Sequence, residues 1–374
     1  MNGAEAVNDY GDWQAEHAAL RDTAGVLDLS FRGRICLVGS DRARFLHGQV
    51  TNDVKKLAVG AGCYAALVTA KGKMESDLNI FCLADELLLD FEPGLTEIIL
   101  QRLEKFIVAD DVQIVDAAPH YGLLSVQGPK AEEVVLGLGF AGREALLRAQ
   151  AGRQVGPTIV TISDATLGEI YLANQLRFDG VIGRAGSPLP AGGAHGVPRP
   201  TNSGLDLFIP NSSLAAVADK LLAVAKSVGG LACGWRAFET ARIEAGIPRF
   251  GVDMDETNLP LECGIESRAV SYNKGCYIGQ EVINRVHTIG HVNRELRGLR
   301  LADDLPVLPQ KGDKLFHNDK EVGSITSAVK SPTLNAHIAL GYVRREANQI
   351  GSELTLRTVH GESLAKIVEL PFVK

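Results

Sequence analysis

Short runs of alternating apolar and polar residues, broken by glycine and proline, make up much of this chain. Such runs read as strands. They occur at 34–38, 65–69, 78–83 and 86–91, the last two forming a hairpin across Ala84-Asp85. After Pro93-Gly94 the apolar period lengthens to that of a helix, with Ile98, Ile99, Leu103 and Phe106 on one face. Strands at 112–115 and 122–127 come next. Gly128-Pro129 then opens a helix with Val134, Val135 and Leu138 inward, where proline suits the first turn. Strands at 158–162, 169–174 and 205–209 precede an amphipathic helix at 212–228, and a further helix at 235–245 stops at Gly246 and Pro248. Segment 183–204, rich in Gly and Pro and without apolar period, predicts a long exposed loop. Beyond Gly290 the helical pattern disappears. Strand-like runs at 297–301, 314–317, 321–329, 338–343, 353–358 and 365–369 predict a small β-barrel of about 80 residues. The expectation is an α+β core over 1–289 followed by a β-barrel over 290–374.

Composition narrows the function classes. At 374 residues the chain exceeds the usual domain of about 150, in keeping with more than one domain. Lys and Arg number 38 against 45 Asp and Glu, a net charge of −7. A mildly acidic surface has no general attraction for phosphate backbones, so direct nucleic-acid binding is not expected. No stretch approaches the roughly 18 apolar residues of a membrane-spanning helix. The first 21 residues carry Glu5, Asp9, Asp12 and Glu16 and lack the order of a signal peptide, which predicts a cytoplasmic protein. The six cysteines are scattered, with neither a C-x-x-C nor a tight Cys/His cluster, so neither a disulfide framework nor a resident metal is expected. His287 and His291 are spaced i and i+4, but Gly290 interrupts the helix and no third ligand is near.

Four segments could carry chemistry. In Lys274-Gly275-Cys276-Tyr277-Ile278-Gly279-Gln280-Glu281, two glycines bracket a cysteine and a tyrosine. Gly275 and Gly279 permit a tight turn that presents Cys276; Lys274 beside the thiol and a helix opening at Gly279 would favour the thiolate. The alternative is a turn whose cysteine is merely packed. In Arg242-Ile243-Glu244-Ala245-Gly246, Arg242 and Glu244 do not share a helix face, so one can address a pocket. An arginine there can equally serve the helix dipole. Asp77 follows Lys71-Gly72-Lys73-Met74-Glu75-Ser76 at the head of a strand, as a turn residue or an acid. Asp28-Leu29-Ser30 reads only as the start of a strand.

Together these segments resemble the folate-binding superfamily of the glycine-cleavage aminomethyltransferase (T-protein), and within it the YgfZ-type branch, nearly end to end. Gly25-Val26-Leu27-Asp28-Leu29-Ser30 is similar to the superfamily's opening motif, and Phe45-Leu46 through Thr51-Asn52-Asp53 to its next helix and turn. Asp77-Leu78 stands where the transferase has its catalytic aspartate. Arg242 to Gly246 resembles the R-L-E-A-G segment that supplies a folate-contacting arginine, and Lys274 to Glu281 the K-G-C-Y-x-G-Q-E signature of the YgfZ-type branch.

The resemblance implies two interlocked α+β subdomains and a C-terminal β-barrel around a central folate channel, in a monomer. It implies tetrahydrofolate as the small-molecule cofactor. Asp206 would accept the paired hydrogens of the pterin edge, Arg242 would grip the tail or polar middle with its fork, and Asp77 and Cys276 would carry the chemistry. Two departures point away from glycine cleavage. Thr201-Asn202-Ser203-Gly204 lacks the transferase's acidic pair, with Asp206 in place of a longer Glu, and Phe31-Arg32-Gly33 replaces His-Met-Gly. The expected function is therefore an accessory protein that binds tetrahydrofolate and supports iron–sulfur client proteins, including those that modify tRNA. The alternative is a folate-dependent aminomethyltransferase or demethylase using Asp77.

Overall fold

A computed structural model of the chain describes residues 5–139, 157–175, 177–178 and 203–373. The strands run β1 (Gly25–Asp28), β2 (Gly33–Val38), β3 (Gly62–Val68), β4 (Met74–Cys82), β5 (Glu86–Phe91), β6 (Gln113–Asp116), β7 (Tyr121–Gly128), β8 (Thr158–Asp164), β9 (Gly168–Asn174), β10 (Ser203–Pro210) and β11 (Leu231–Ala232). Six more follow: β12 (Arg294–Leu301), β13 (Lys314–His317), β14 (Lys320–Ser331), β15 (Ala336–Arg344), β16 (Glu353–Thr358) and β17 (Gly361–Val368). The described helices are α1 (Trp13–Asp22), α2 (Arg42–Gln49), α3 (Thr96–Glu104), α4 (Ala131–Leu136), α5 (Leu214–Ser227), α6 (Trp235–Glu244), α7 (Glu266–Ala269) and α8 (Gln280–Thr288).

Two compact units emerge, each assembled from separate stretches of sequence. The first holds Arg32–Ala118 and the chain from Phe238 onward; the second holds Ala6–Phe31 and the described part of Pro119–Ala237. The boundary expected at 290 thus falls inside the first unit, which takes in both the barrel and a five-stranded sheet of order β3-β4-β5-β2-β6. In that sheet the two-residue period separates two faces. Ile35, Leu37, Leu78, Ile80, Leu87 and Leu89 are buried in the hydrophobic core. The opposite face carries Tyr64, Asp77, Asn79 and Asp90, aligned by the pairings Tyr64 with Asn79, Ala66 with Asp77 and Asn79 with Asp90. A polar face on a sheet whose other side is core is where a site is to be sought.

Strands β12 to β17 close into a barrel of order β12-β15-β14-β13-β16-β17, filled by Leu299, Leu301, Leu315, Ile325, Leu356 and Ile367. Closure leaves no free edge. The turn between β13 and β14 is Asn318-Asp319, both at positive φ (49° and 61°), the conformation that a two-residue hairpin needs. The second unit is a six-stranded sheet of order β11-β1-β7-β10-β9-β8, with Val134, Val135, Val217 and Leu221 from α4 and α5 in its core.

The α+β class and the C-terminal barrel are as expected. On α3, Ile99 and Leu103 are buried, but Ile98 is 55% exposed. Phe106 lies past the helix end under the Arg102 guanidinium, 4.4 Å from the ring centroid. Of the loop expected at 183–204, residues 183–202 lie outside the described residues, and Ser203 and Gly204 belong to β10. No described helix is long and apolar enough to cross a membrane.

Candidate functional site

Asp77 stands on β4, on the polar face of the five-stranded sheet. Its Oδ2 accepts a hydrogen bond of 2.8 Å from the Tyr64 hydroxyl on the neighbouring strand. Its Oδ1 is buried and has no hydrogen-bond partner among the described residues. Burial, and next the charge of Glu92, push the Asp77 carboxyl above the ordinary aspartate value; the Tyr64 bond, Arg32 and Arg268 pull the other way. The Arg268 guanidinium, from α7, lies 4.5 Å from the Tyr64 ring centroid. The Asn52 amide holds this arrangement, donating to the backbone carbonyls of Tyr64 (2.8 Å) and Arg268 (2.9 Å). A carboxyl raised above its ordinary range, with one buried oxygen unpartnered among the described residues, is equipped to accept a proton from a bound N–H.

Behind Asp77 runs a chain of alternating charges. Arg32 bonds Asp90 (2.8 Å) and Glu92 (2.5 Å), and Asn79 donates to Asp90. Arg249 joins Glu92 (3.0 Å) to Glu239, and Glu239 pairs with Arg242. Here the expectation for Arg242 needs correction. Its guanidinium is 1% exposed and all five N–H groups are taken. Nε donates to Glu239; Nη1 to Asp253 (2.5 Å) and the Ile247 carbonyl; Nη2 to Glu239 and the Ser327 hydroxyl. No donor is left for a folate tail. Arg242 instead ties α6 to the barrel strand β14 and to Asp253, whose other oxygen accepts from Thr326 and Ser327. Glu244 does similar work, accepting from Ser331 and Thr333.

In the Lys274–Glu281 segment one of the two glycines expected to turn the chain does so. Gly279 opens α8 at φ 83°, and a Cβ there would fall 2.5 Å from the Thr69 carbonyl oxygen, so both its conformation and its surroundings call for glycine. Gly275 is not left-handed, and a Cβ there would meet only the His47 ring, at 3.6 Å. Lys274 does not serve the thiol. Its ammonium is buried and donates to the carbonyls of His47 (2.5 Å), Val50 (2.7 Å) and Asn52 (2.8 Å), gathering the C-terminal end of α2. Burial pushes it down to about 8. Tyr277 is buried under the Lys274 ammonium (4.8 Å), its hydroxyl without a hydrogen-bond partner among the described residues. Glu281 is exposed in the first turn of α8 after Gln280, where its charge suits the helix dipole. Cys276 is the one exposed cysteine of the six. No described hydrogen bond or ion pair joins it to Asp77 or Arg242. His287 hydrogen-bonds Glu266 (2.6 Å) and stacks on Tyr272 (3.8 Å), and no metal-holding cluster of His, Cys, Asp or Glu exists among the described residues.

Asp206 belongs to the second unit, on β10, where it is 1% exposed. Its carboxylate is gripped by the Arg177 fork, Nε at 3.2 Å and Nη2 on the other oxygen. The Arg177 backbone N–H in turn donates to Gln127, whose amide donates to Ser125. The edge expected to receive a pterin is thus engaged by a guanidinium.

The sequence reading missed Tyr64, Arg268, Glu239, Asp253 and Arg177. Only Glu239 had a local signal, three residues before Arg242 on the same helix face.

Comparison with known proteins completes the picture. The model of the GCVT N-terminal domain matches residues 1–141 and 201–274, and that of the glycine cleavage T-protein C-terminal barrel domain matches 294–374. The aminomethyltransferase of Shouchella clausii is 28% identical over 100% of this chain and 95% of its own, and that of Bacillus subtilis 26% over 98% and 94%. The fold is that of the glycine cleavage system aminomethyltransferase T from Bartonella henselae, with a TM-score of 0.82, 22% identity, and coverage of 100% of this chain and 93% of that one.

Proposed function

The chain belongs to the glycine cleavage T-protein family, and from that premise we propose that it transfers a one-carbon unit to tetrahydrofolate, with Asp77 as proton acceptor. The observation that carries this reading is the Asp77 carboxyl, with a raised pKa, one oxygen held by Tyr64 and the other a buried acceptor awaiting a donor. Tetrahydrofolate, when bound, would supply the amine nitrogen that bonds the one-carbon unit as the unit's bond to the donor breaks, the donor's leaving group keeping that electron pair. That nitrogen must shed a proton, and Asp77 Oδ1 is placed to take it. Arg32 and Arg268 oppose burial and the Glu92 charge at the Asp77 carboxyl, favouring its charged form. The relatives named aminomethyltransferase support an aminomethyl group as the unit moved, which orders this reading ahead of the accessory role.

Purified protein titrated calorimetrically with tetrahydrofolate is expected to show saturable binding. With an aminomethyl or N-methyl amine donor added, mass spectrometry is expected to show a folate that has gained one carbon. Absence of both sinks the reading.

A second reading rests on Cys276, exposed on the loop that leads into α8. In it the protein makes transient contact with iron–sulfur client proteins, including tRNA-modifying enzymes, as the YgfZ-type resemblance implies. One thiol cannot hold a cluster that takes four thiolates, so the cluster would stay on the client. Cells carrying Cys276→Ala are expected to lose activity of cluster-dependent enzymes while one-carbon transfer in vitro persists. Undiminished cluster-enzyme activity would remove this reading.

A further inference from the structure

We propose that Tyr64 is the positioning residue of Asp77, its phenol tying down Oδ2 so that Oδ1 alone faces the donor, with Arg268 stacked behind the phenol as its support. The proposal rests on the reading of Asp77 as proton acceptor and adds the device that aims it.

An aspartate carboxyl turns about two side-chain torsions, and in a site with one reacting proton only one orientation is productive. Among the described residues the Asp77 carboxyl has one hydrogen-bond partner: Oδ2 has the Tyr64 hydroxyl at 2.8 Å, and Oδ1 has none. The hairpin makes the contact inevitable. Tyr64 pairs with Asn79, two residues beyond Asp77, so Tyr64 and Asp77 are diagonal neighbours on one face. Tyr64 is itself fixed on two sides. The Asn52 amide joins its carbonyl to that of Arg268, and the Arg268 guanidinium lies over its ring at 4.5 Å. Thr51 extends the clamp, donating to the Ala269 carbonyl at 2.6 Å while accepting from the Ala66 N–H.

The phenol is no base at neutral pH. Burial and the adjacent Asp77 charge hold it well above its ordinary value, so it remains a donor throughout. The groups that face Asp77 are Tyr64 from β3, Glu92 from just past β5, Arg32 from just before β2 and Arg268 from α7. Of these four, Tyr64 is hydrogen-bonded to it and the other three act through their charge.

The test is Tyr64→Phe, which removes the hydroxyl and keeps the ring on which Arg268 stacks. On protein labelled with ¹³C at the aspartate carboxyls, with Asp77→Asn assigning the resonance, the Asp77 midpoint is expected to rise by about one pH unit, a tenfold change. In turnover, kcat is expected to fall on the order of 100-fold with KM little changed, the cost of a misaimed group. An unmoved midpoint overturns the proposal. Should the wild type turn over no donor while the midpoint still shifts, the transfer reading fails and the positioning stands. Should Tyr64→Phe not fold, Arg268→Lys replaces it, keeping the positive charge near Asp77 while removing the guanidinium over the Tyr64 ring: a rise of the Asp77 midpoint supports the proposal, and none overturns it.

Discussion

Asp77→Asn is expected to slow one-carbon transfer about 10²–10⁴-fold, the usual contribution of a positioned acid or base. The exchange is nearly isosteric. Asn still offers a carbonyl to the Tyr64 hydroxyl, and what it loses is the capacity to take a proton at Oδ1. The pH profile sharpens the test. Burial and Glu92 raise the Asp77 carboxyl, so the acid limb of kcat/KM in the wild type should lie above the ordinary aspartate value of about 3.9. In Asp77→Asn that limb should vanish along with most of the rate. The same shift fixes a sign for stability. A carboxyl whose folded pKa lies above its unfolded value favours folding below the unfolded pKa, and that advantage is lost as pH rises through the folded pKa. Asn mimics the protonated form, so the variant should be at least as stable as the wild type to urea at pH 7. A variant that is inactive and also markedly destabilised would mean that Asp77 holds the fold together instead of doing chemistry.

Much of this arrangement is visible in the sequence, and the part that is not has a physical reason. The barrel strands were legible as short apolar-bearing runs bounded by turns, and Asn318-Asp319 is a turn that names its own geometry. Helix α1 was missed because its buried face is Glu16, His17, Ala19 and Leu20, too polar to give a periodic signal. Its one clear mark is Asp12, whose side chain caps the Gln14 and Ala15 N–H groups. The β3–β4 hairpin turns around Gly72, and the reading began the second strand at 78 where the structure begins it at Met74. With the earlier start, Tyr64 and Asp77 become diagonal neighbours on one face of the hairpin. The buried charges were the least legible. An arginine that grips a ligand and one that grips Asp253 leave the same trace in the chain, because a partner 11 or 85 residues away creates no period. Lys274 shows the same limit: adjacency to Cys276 suggested a thiolate partner, while the fold offered it three carbonyls.

Arg242→Met carries the largest expected effect on stability, a loss of about 3–5 kcal/mol in urea unfolding at pH 7. The number follows from what remains when the guanidinium is removed. Asp253, 2% exposed, stays behind as a buried acid without its cation, the half-buried Glu239 loses one of its two, and Ser327 loses its donor. Arg249 still reaches Glu239, so the loss falls mainly on Asp253. Against a typical total of 5–15 kcal/mol this is a large fraction. The pH dependence has a definite direction. Burial opposes the Glu239 charge, but Arg242 and Arg249 prevail and hold its carboxyl below the ordinary value. Its contribution is therefore present above the unfolded pKa and is lost as pH falls through the folded one. The gap between Arg242→Met and wild type should narrow in acid, where Glu239 is neutral in both. A double variant, Arg242→Met with Asp253→Asn, should recover part of the loss, since no buried charge is then left unpaired at that site. Had Arg242 been a ligand's fork, the single variant would lose tetrahydrofolate affinity at unchanged stability. With all five N–H groups spent inside the protein, the result should be the reverse: a destabilised chain whose folded fraction still binds.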